Sequence, residues 1–211
     1  MARCTKEVAL ETRSHILDAA VTMFHTKGVT RTSLNDVAQA ANLTRGAIYW
    51  HFKNKADLFG AVCDRVRLPI ESMVESSTDE RENDPLGQLR AICLFALQDT
   101  VRNPHSRKVM DIMFHKYECV DSNDPILLRQ HDWYRQAMEN IQRILQHAVS
   151  QGQLPKNLDI RLAGIFFHAT LDGLLKNWLF SPESFDLERD AEKLVDTCID
   201  ALRLAPALQK K

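Results

Sequence analysis

At 211 residues the chain is long enough to bury an apolar core without staples, and its five scattered cysteines, odd in number, exclude a complete disulfide framework and fit a reducing cytoplasm. No basic segment followed by an apolar stretch marks a leader, and no apolar run approaches the roughly 20 residues that span a bilayer, so a cytoplasmic protein with no membrane partner is expected. The net charge of −1 divides unevenly: residues 1–60 carry eight Lys or Arg against five Asp or Glu, a surplus of +3 that leaves −4 for the rest, which directs any polyanion to the front of the chain.

Apolar residues recur at three- and four-residue spacing and never alternate with polar ones over a strand's length, which predicts an all-α fold of about nine helices. Ile16, Ala20, Met23 and Phe24 share one stripe of a first helix over about 8–27, and Gly28 can take the left-handed conformation that closes it. Ser33-Leu-Asn-Asp36 reads as a capping box that opens a short second helix, with Leu34, Val37 and Ala38 facing inward. Asn54 and Asp57 repeat the start signal for a long helix with Leu58, Phe59, Val62 and Val66 inside, which Pro69 is expected to end or bend. The polar, acidic stretch 76–84 reads as a loop. Asp84-Pro85, Asn103-Pro104 and Asp124-Pro125 each place a capping side chain before a proline at the first helical position, predicting helices over about 85–102, 104–120 and 125–151. Two more are predicted at about 159–180 and 187–204. The first of these is apolar nearly all round at 162–171 and the second carries a broad stripe from Leu187 to Leu202, a combination suited to a four-helix interface with a second copy.

Residues 33–52 carry the chemistry. Two short helices between Ser33 and Phe52 flank a three-residue turn, with Val37 and Ala38 placed to meet Leu43, Ala47 and Ile48. Asn42 lies where a positive φ is wanted, and Asn is the best substitute for glycine there. Thr44 can cap the second helix, whose outward face shows Arg45, Gly46, Tyr49, Trp50 and His51, with Lys53 and Lys55 beyond. Arg45 can donate two hydrogen bonds to a guanine, Gly46 permits close backbone approach, and the lysines suit phosphates. The same helix pair also serves as a packing motif in all-α proteins, and a helical ligand carrier is the reading of a different class; Tyr49 and Trp50 beside Arg45 favour double-stranded DNA.

The run Thr44-Arg-Gly-Ala-Ile-Tyr-Trp-His-Phe-Lys-Asn-Lys55 resembles the recognition segment of TetR-family repressors. Glu11-Thr-Arg-Ser-His-Ile-Leu-Asp-Ala-Ala20 with Phe24 and Gly28-Val29, Phe114-His-Lys-Tyr-Glu-Cys119, Leu171-Asp-Gly-Leu174 with Trp178, and Leu204-Ala-Pro-Ala-Leu208 extend the resemblance over essentially the whole chain, toward the AcrR/TtgR-like branch that regulates multidrug efflux pumps. Asn42 stands where that family usually has glycine, and Tyr117 where a cysteine is frequent. The resemblance implies a DNA-binding domain over 1–53 and a ligand-binding and dimerisation domain over 54–211, with a homodimer formed through the last two helices. It implies operator contacts by Ser33, Thr44, Arg45, Gly46, Tyr49, Trp50, His51 and Lys55, and a long fourth helix linking reader to sensor.

Members of that branch hold amphipathic or aromatic compounds in the C-terminal domain. Phe95, Met110, Met113, Phe114, Phe167, His168 and Leu171 could line such a cavity, although methionines and aromatics at helical spacing are also plain core. Asp172, a carboxylate in the most apolar helix, either pairs with Lys176 or a helix end, or receives a donor from the ligand. His115, Glu118 and Cys119 share a predicted helical face but lack a fourth ligand and tight spacing, so no metal is expected. No cofactor is implied, and with no nucleophile–base set, phosphate loop or carboxylate pair the chain is not read as an enzyme. Within the regulators, a sensor of an internal metabolite is the second reading.

Overall fold

A computed structural model describes residues 2–77, 83–119 and 121–210, with side chains omitted at 2–5, 76 and 77. Among the described residues there are nine α-helices: α1 (Ala2–Lys27), α2 (Leu34–Ala40), α3 (Arg45–His51), α4 (Lys55–Ser77), α5 (Pro85–Arg102), α6 (Pro104–His115), α7 (Pro125–Ser150), α8 (Ile160–Phe180) and α9 (Leu187–Leu204), followed by a 3₁₀ turn, Pro206–Leu208. Among the described residues no helix is long and apolar enough to cross a membrane.

The capping residues explain most helix starts. Ser33 accepts from the Asp36 amide while Asp36 accepts from the Ser33 amide, the reciprocal arrangement of a capping box. Asp84 accepts from the Gly87 amide, Asn103 from the His105 amide and Asp124 from the Ile126 amide, each ahead of its proline. Gly28 and Gly152 close α1 and α7 with φ of 82° and 73°.

Three boundaries differ from the expectation. α1 begins at Ala2 rather than near residue 8, because nothing in 2–7 breaks a helix. α4 passes through Pro69 and reaches Ser77, so 76 and 77 are helical rather than loop; residues 78–82 of the expected loop lie outside the described residues. α6 ends at His115 rather than near 120, because the next carbonyls are claimed from elsewhere: the Val29 amide donates to the Lys116 carbonyl at 2.8 Å, and Thr30 Oγ1 to the Glu118 carbonyl at 2.8 Å. His115, Glu118 and Cys119 therefore do not share a helical face, and His115 Nδ1 instead meets Asp111 at 2.9 Å.

The chain forms two compact units. The first comprises Met1–Val66 with Lys108–Gln130. Ile16, Ala20 and Phe24 of α1, Val37 of α2, Ile48 of α3 and Leu58, Phe59 and Val62 of α4 are fully buried in it. Phe59 lies at the centre, 6.2 Å from the Phe24 ring and 6.0 Å from Tyr117. The second comprises Arg67–Arg107 with His131–Lys211. Its core includes Leu97 of α5, Ile144 and Leu145 of α7, Phe167 of α8 and Val195 and Leu202 of α9. α5 packs along α9, and at its rim Arg90 grips Asp196 through Nε and Nη2 at 2.6 and 3.1 Å while Arg102 meets Glu188 at 2.8 Å.

Candidate nucleic-acid interface

The α2–α3 pair is built by small buried side chains and by caps at both helix starts. Val37, Ala38 and Ala41 on one side and Ile48 on the other are buried, and the Leu43 amide donates to the Ala38 carbonyl at 2.9 Å to close the turn. Asn42 has a φ of 52°, the left-handed conformation expected of it. The conformation makes a testable difference between substitutions. Asn42→Ala is expected to cost about 1 kcal/mol in urea unfolding, because an alanine resists positive φ, whereas Asn42→Gly should stay close to the unaltered protein. Equal stability of all three would mean that the turn is not held in that conformation.

α3 then leaves Thr44, whose hydroxyl accepts from the Ala47 amide at 3.2 Å. Ile48 points into the core while Arg45, Gly46, Tyr49 and Trp50 face outward, with Tyr49 46% and Trp50 74% exposed. An exposure of that size is uneconomic for a tryptophan unless a partner covers it. One turn apart, Arg45 and Tyr49 hold each other: the guanidinium lies 5.3 Å from the ring centroid, and Nη2 donates to the phenol oxygen at 3.4 Å. Trp50 stands edge-on to His51 at 4.5 Å. Burial first, and the charge of Arg13 second, push the His51 imidazole below its ordinary pKa. Ser33 is exposed at the start of α2, where its hydroxyl already bonds Asp36. Hydrogen bonds from Ser33 and Lys27 hold the Asp36 carboxyl well below the usual carboxylate range.

Six of the eight residues named from the sequence, Thr44, Arg45, Gly46, Tyr49, Trp50 and His51, thus form one continuous surface on and just before α3, with Ser33 at the start of the neighbouring helix. Lys55 is placed differently. Its ammonium is half-buried and donates to the carbonyls of Val29 and Thr30, both at 3.0 Å, so it ties α4 to the turn after α1. Burial lowers its pKa, opposed by Asp124. Arg13, which no local pattern in the sequence singles out, stacks on Phe52 with 5.1 Å to the ring centroid. Only the three-dimensional approach of α1 to the end of α3 brings those two together.

The residues named for ligand binding fall in both units. Met110, Met113 and Phe114, half-buried on α6, belong to the first. Phe95, Phe167, His168, Leu171 and Asp172 belong to the second, where Phe167 is fully buried and Phe95 is partly exposed on α5. His168 and Asp172 meet across one turn of α8 at 3.6 Å, and Tyr134 of α7 stands edge-on to the His168 ring at 5.2 Å. Asp172 thus has His168 as its partner. Desolvation raises the Asp172 pKa, against the opposing charges of His168 and Lys176. A cleft of about 380 Å³ in the same unit is polar and includes none of these residues; Asp84, Arg90, Asp196, Asp200 and Arg203 supply its charges.

Comparison with known proteins matches residues 16–62 to the model of bacterial regulatory proteins, tetR family, and residues 84–204 to that of the MAATS-type transcriptional repressor, C-terminal region. The chain is 42% identical over 210 residues to the HTH-type transcriptional regulator TtgR of Pseudomonas putida, covering 100% of both chains. It is 39% identical over 209 residues to the HTH-type transcriptional regulator AcrR of Shigella flexneri, covering 99% of this chain and 97% of that one. Among solved structures it resembles SmeT, the repressor of the Stenotrophomonas maltophilia multidrug efflux pump SmeDEF, with a TM-score of 0.80 and 33% identity over 92% of this chain and 91% of the other. The complex of SmeT with triclosan gives a TM-score of 0.85 at 33% identity over 93% of each chain.

Proposed function

Because the chain belongs to the tetR family of bacterial regulatory proteins, we propose that it is a ligand-responsive cytoplasmic repressor whose homodimer reads a palindromic operator and controls a multidrug efflux operon. The observation that carries this reading is the face of α3: a capped, core-anchored helix that turns Arg45, Tyr49 and Trp50 to solvent together. Residues 1–53 are the reader in this proposal and 54–211 the sensor and dimerisation domain. Ser33, Thr44, Arg45, Gly46, Tyr49, Trp50 and His51 meet the operator, and Lys55 contributes chiefly by fixing α4 to the turn below.

Leu162 and Ile165 on α8, Phe180 at its end (80% exposed) and Leu204 at the end of α9 (74% exposed) form the apolar surface that a second copy covers. Two α3 helices then enter successive major grooves, with half-sites about 34–36 Å apart or near a multiple of that. The effector is a small amphipathic or aromatic compound, as the triclosan complex of the similar SmeT illustrates for that protein. Phe95, Phe167, His168, Leu171 and Asp172 are its proposed contacts in the second unit, with the half-exposed Asp172 and its His168 partner available to a polar group. The protein has no enzymatic role in this account.

Release needs only a difference in affinity between two states. A coupling of about 1–3 kcal/mol weakens operator binding roughly 5- to 150-fold. The test is fluorescence anisotropy on the palindromic duplex that the protein itself selects from a randomised pool, with and without triclosan and a panel of amphipathic drugs. At least one compound is expected to weaken binding within that range, and Asp172→Asn to alter its potency. Compounds that bind tightly yet leave operator affinity unchanged would contradict the coupling.

A further inference from the structure

Arg13 of α1 lies beside the C-terminal end of α3. Arg13 is exposed, stacks on the buried Phe52 ring with 5.1 Å to the centroid, and adjoins His51 at the C-terminal end of α3. Among the described residues no carboxylate lies in ion-pair range of it, in contrast to Lys27, which pairs with Asp36, and Arg65, which pairs with Asp18. Its backbone is equally well fixed. Arg65 of α4 donates to the Ser14 carbonyl at 3.0 Å and to the Ser14 hydroxyl at 2.8 Å, while His15 Nε2 meets the Ala41 carbonyl at 2.9 Å at the end of α2. This stretch of α1 is thereby tied to both helices that flank it.

These observations describe an uncompensated cation on a rigid support. The C-terminal end of α3 carries the negative pole of the helix, which is unfavourable toward a phosphate backbone unless cations stand beside it. His51 supplies no full charge there, because burial and the neighbouring guanidinium both disfavour its protonated form. Stacking on an aromatic face removes conformational freedom from the arginine before binding, so less entropy is lost when the fork of N–H donors meets a phosphate.

We propose that Arg13 is a phosphate-binding residue of the operator interface, held by Phe52 so that its guanidinium anchors the DNA backbone beside the C-terminal end of α3. The inference rests on the operator-reading role proposed for α3. It assigns Arg13 to positioning rather than to base recognition, since a phosphate contact fixes register and carries no sequence information by itself.

The test is the salt dependence of operator binding by the full chain, on the same self-selected palindromic duplex, for the unaltered protein, Arg13→Gln, Arg13→Lys and Arg45→Ala. Each neutralised phosphate contributes about 0.9 to the slope of log affinity against log salt, so loss of one contact in each protomer should reduce the slope by about 2. Arg13→Gln is therefore expected to bind roughly 10- to 100-fold more weakly near 0.1 M salt with that reduced slope, on the selected and on a scrambled duplex alike. Arg13→Lys should keep the slope while binding less tightly than the unaltered protein. Thermal unfolding of the Gln variant is expected to stay within a few degrees, as for an exposed side chain. Weaker binding at an unchanged slope would reduce Arg13 to a packing partner of Phe52 and overturn the inference, as would unchanged affinity. Failure of the unaltered protein to prefer its selected duplex, or no effect of Arg45→Ala on that preference, would instead overturn the reading of α3 on which the inference rests.

Discussion

Arg45→Ala is expected to abolish the preference for a palindromic operator while leaving the fold intact. A bidentate arginine–guanine pair contributes about 1–3 kcal/mol of discrimination, and a dimer makes two, so the loss is about 2–6 kcal/mol. That corresponds to a fall in specific affinity of roughly 30-fold to 10⁴-fold. Weak, salt-sensitive binding to scrambled DNA should survive, because phosphate contacts elsewhere on the surface are untouched. Tyr49→Ala should follow the same direction with a smaller effect, since it removes the ring over which the guanidinium lies and the phenol that accepts from it. Tyr49→Phe keeps the ring and separates the two contributions. Anisotropy titrations on specific and scrambled duplexes read all three variants. Equal loss on both duplexes would assign Arg45 to the phosphate backbone instead of a base.

The second large effect concerns the core of the first compact unit. Phe59→Ala is expected to destabilise the first compact unit by about 3–5 kcal/mol, because a fully buried ring between Phe24 and Tyr117 leaves a cavity that its neighbours fill only in part. Against a native stability of about 5–15 kcal/mol that is a large fraction. In a chain of this size it corresponds to a drop in Tm of roughly 6–20 °C. Phe59→Leu, which preserves most of the volume, should cost much less. Denaturant unfolding of the two variants tests this, and a loss below about 1 kcal/mol for the alanine would show that the Phe24, Phe59 and Tyr117 cluster is not a core.

Much of the fold was legible in the sequence because its determinants are local. Ser33 and Asp36, Asn54 and Asp57, and Asp84 ahead of Pro85 act over two or three residues, and each cap forms where the spacing places it. The positive φ of Asn42 follows likewise from its place in the turn between α2 and α3, and the outward set Arg45, Tyr49 and Trp50 from position within a seven-residue helix. What was not legible depends on partners distant in the chain. The end of α6 is set by Val29 and Thr30, some ninety residues away in sequence, which take the carbonyls of Lys116 and Glu118. Lys55 has the spacing of a phosphate contact, but the turn at 29–30 draws its ammonium inward. Arg13 registers in the sequence only as one more positive charge, and its stack on Phe52 exists only once α1 lies beside the end of α3. The meeting of His168 with Asp172 is an intermediate case: a spacing of four put them on one face, and the fold decided that they pair.

The most direct measurement titrates the intact protein against its selected palindromic duplex, the same duplex with one half-site scrambled, and fully scrambled DNA, at fixed physiological salt. If paired α3 helices read the two half-sites, the intact palindrome should bind at least 10³-fold more tightly than fully scrambled DNA, and loss of one half-site should return much of that difference. Equal affinity for all three duplexes would contradict the account and leave α2 and α3 as a packing motif within a helical ligand carrier.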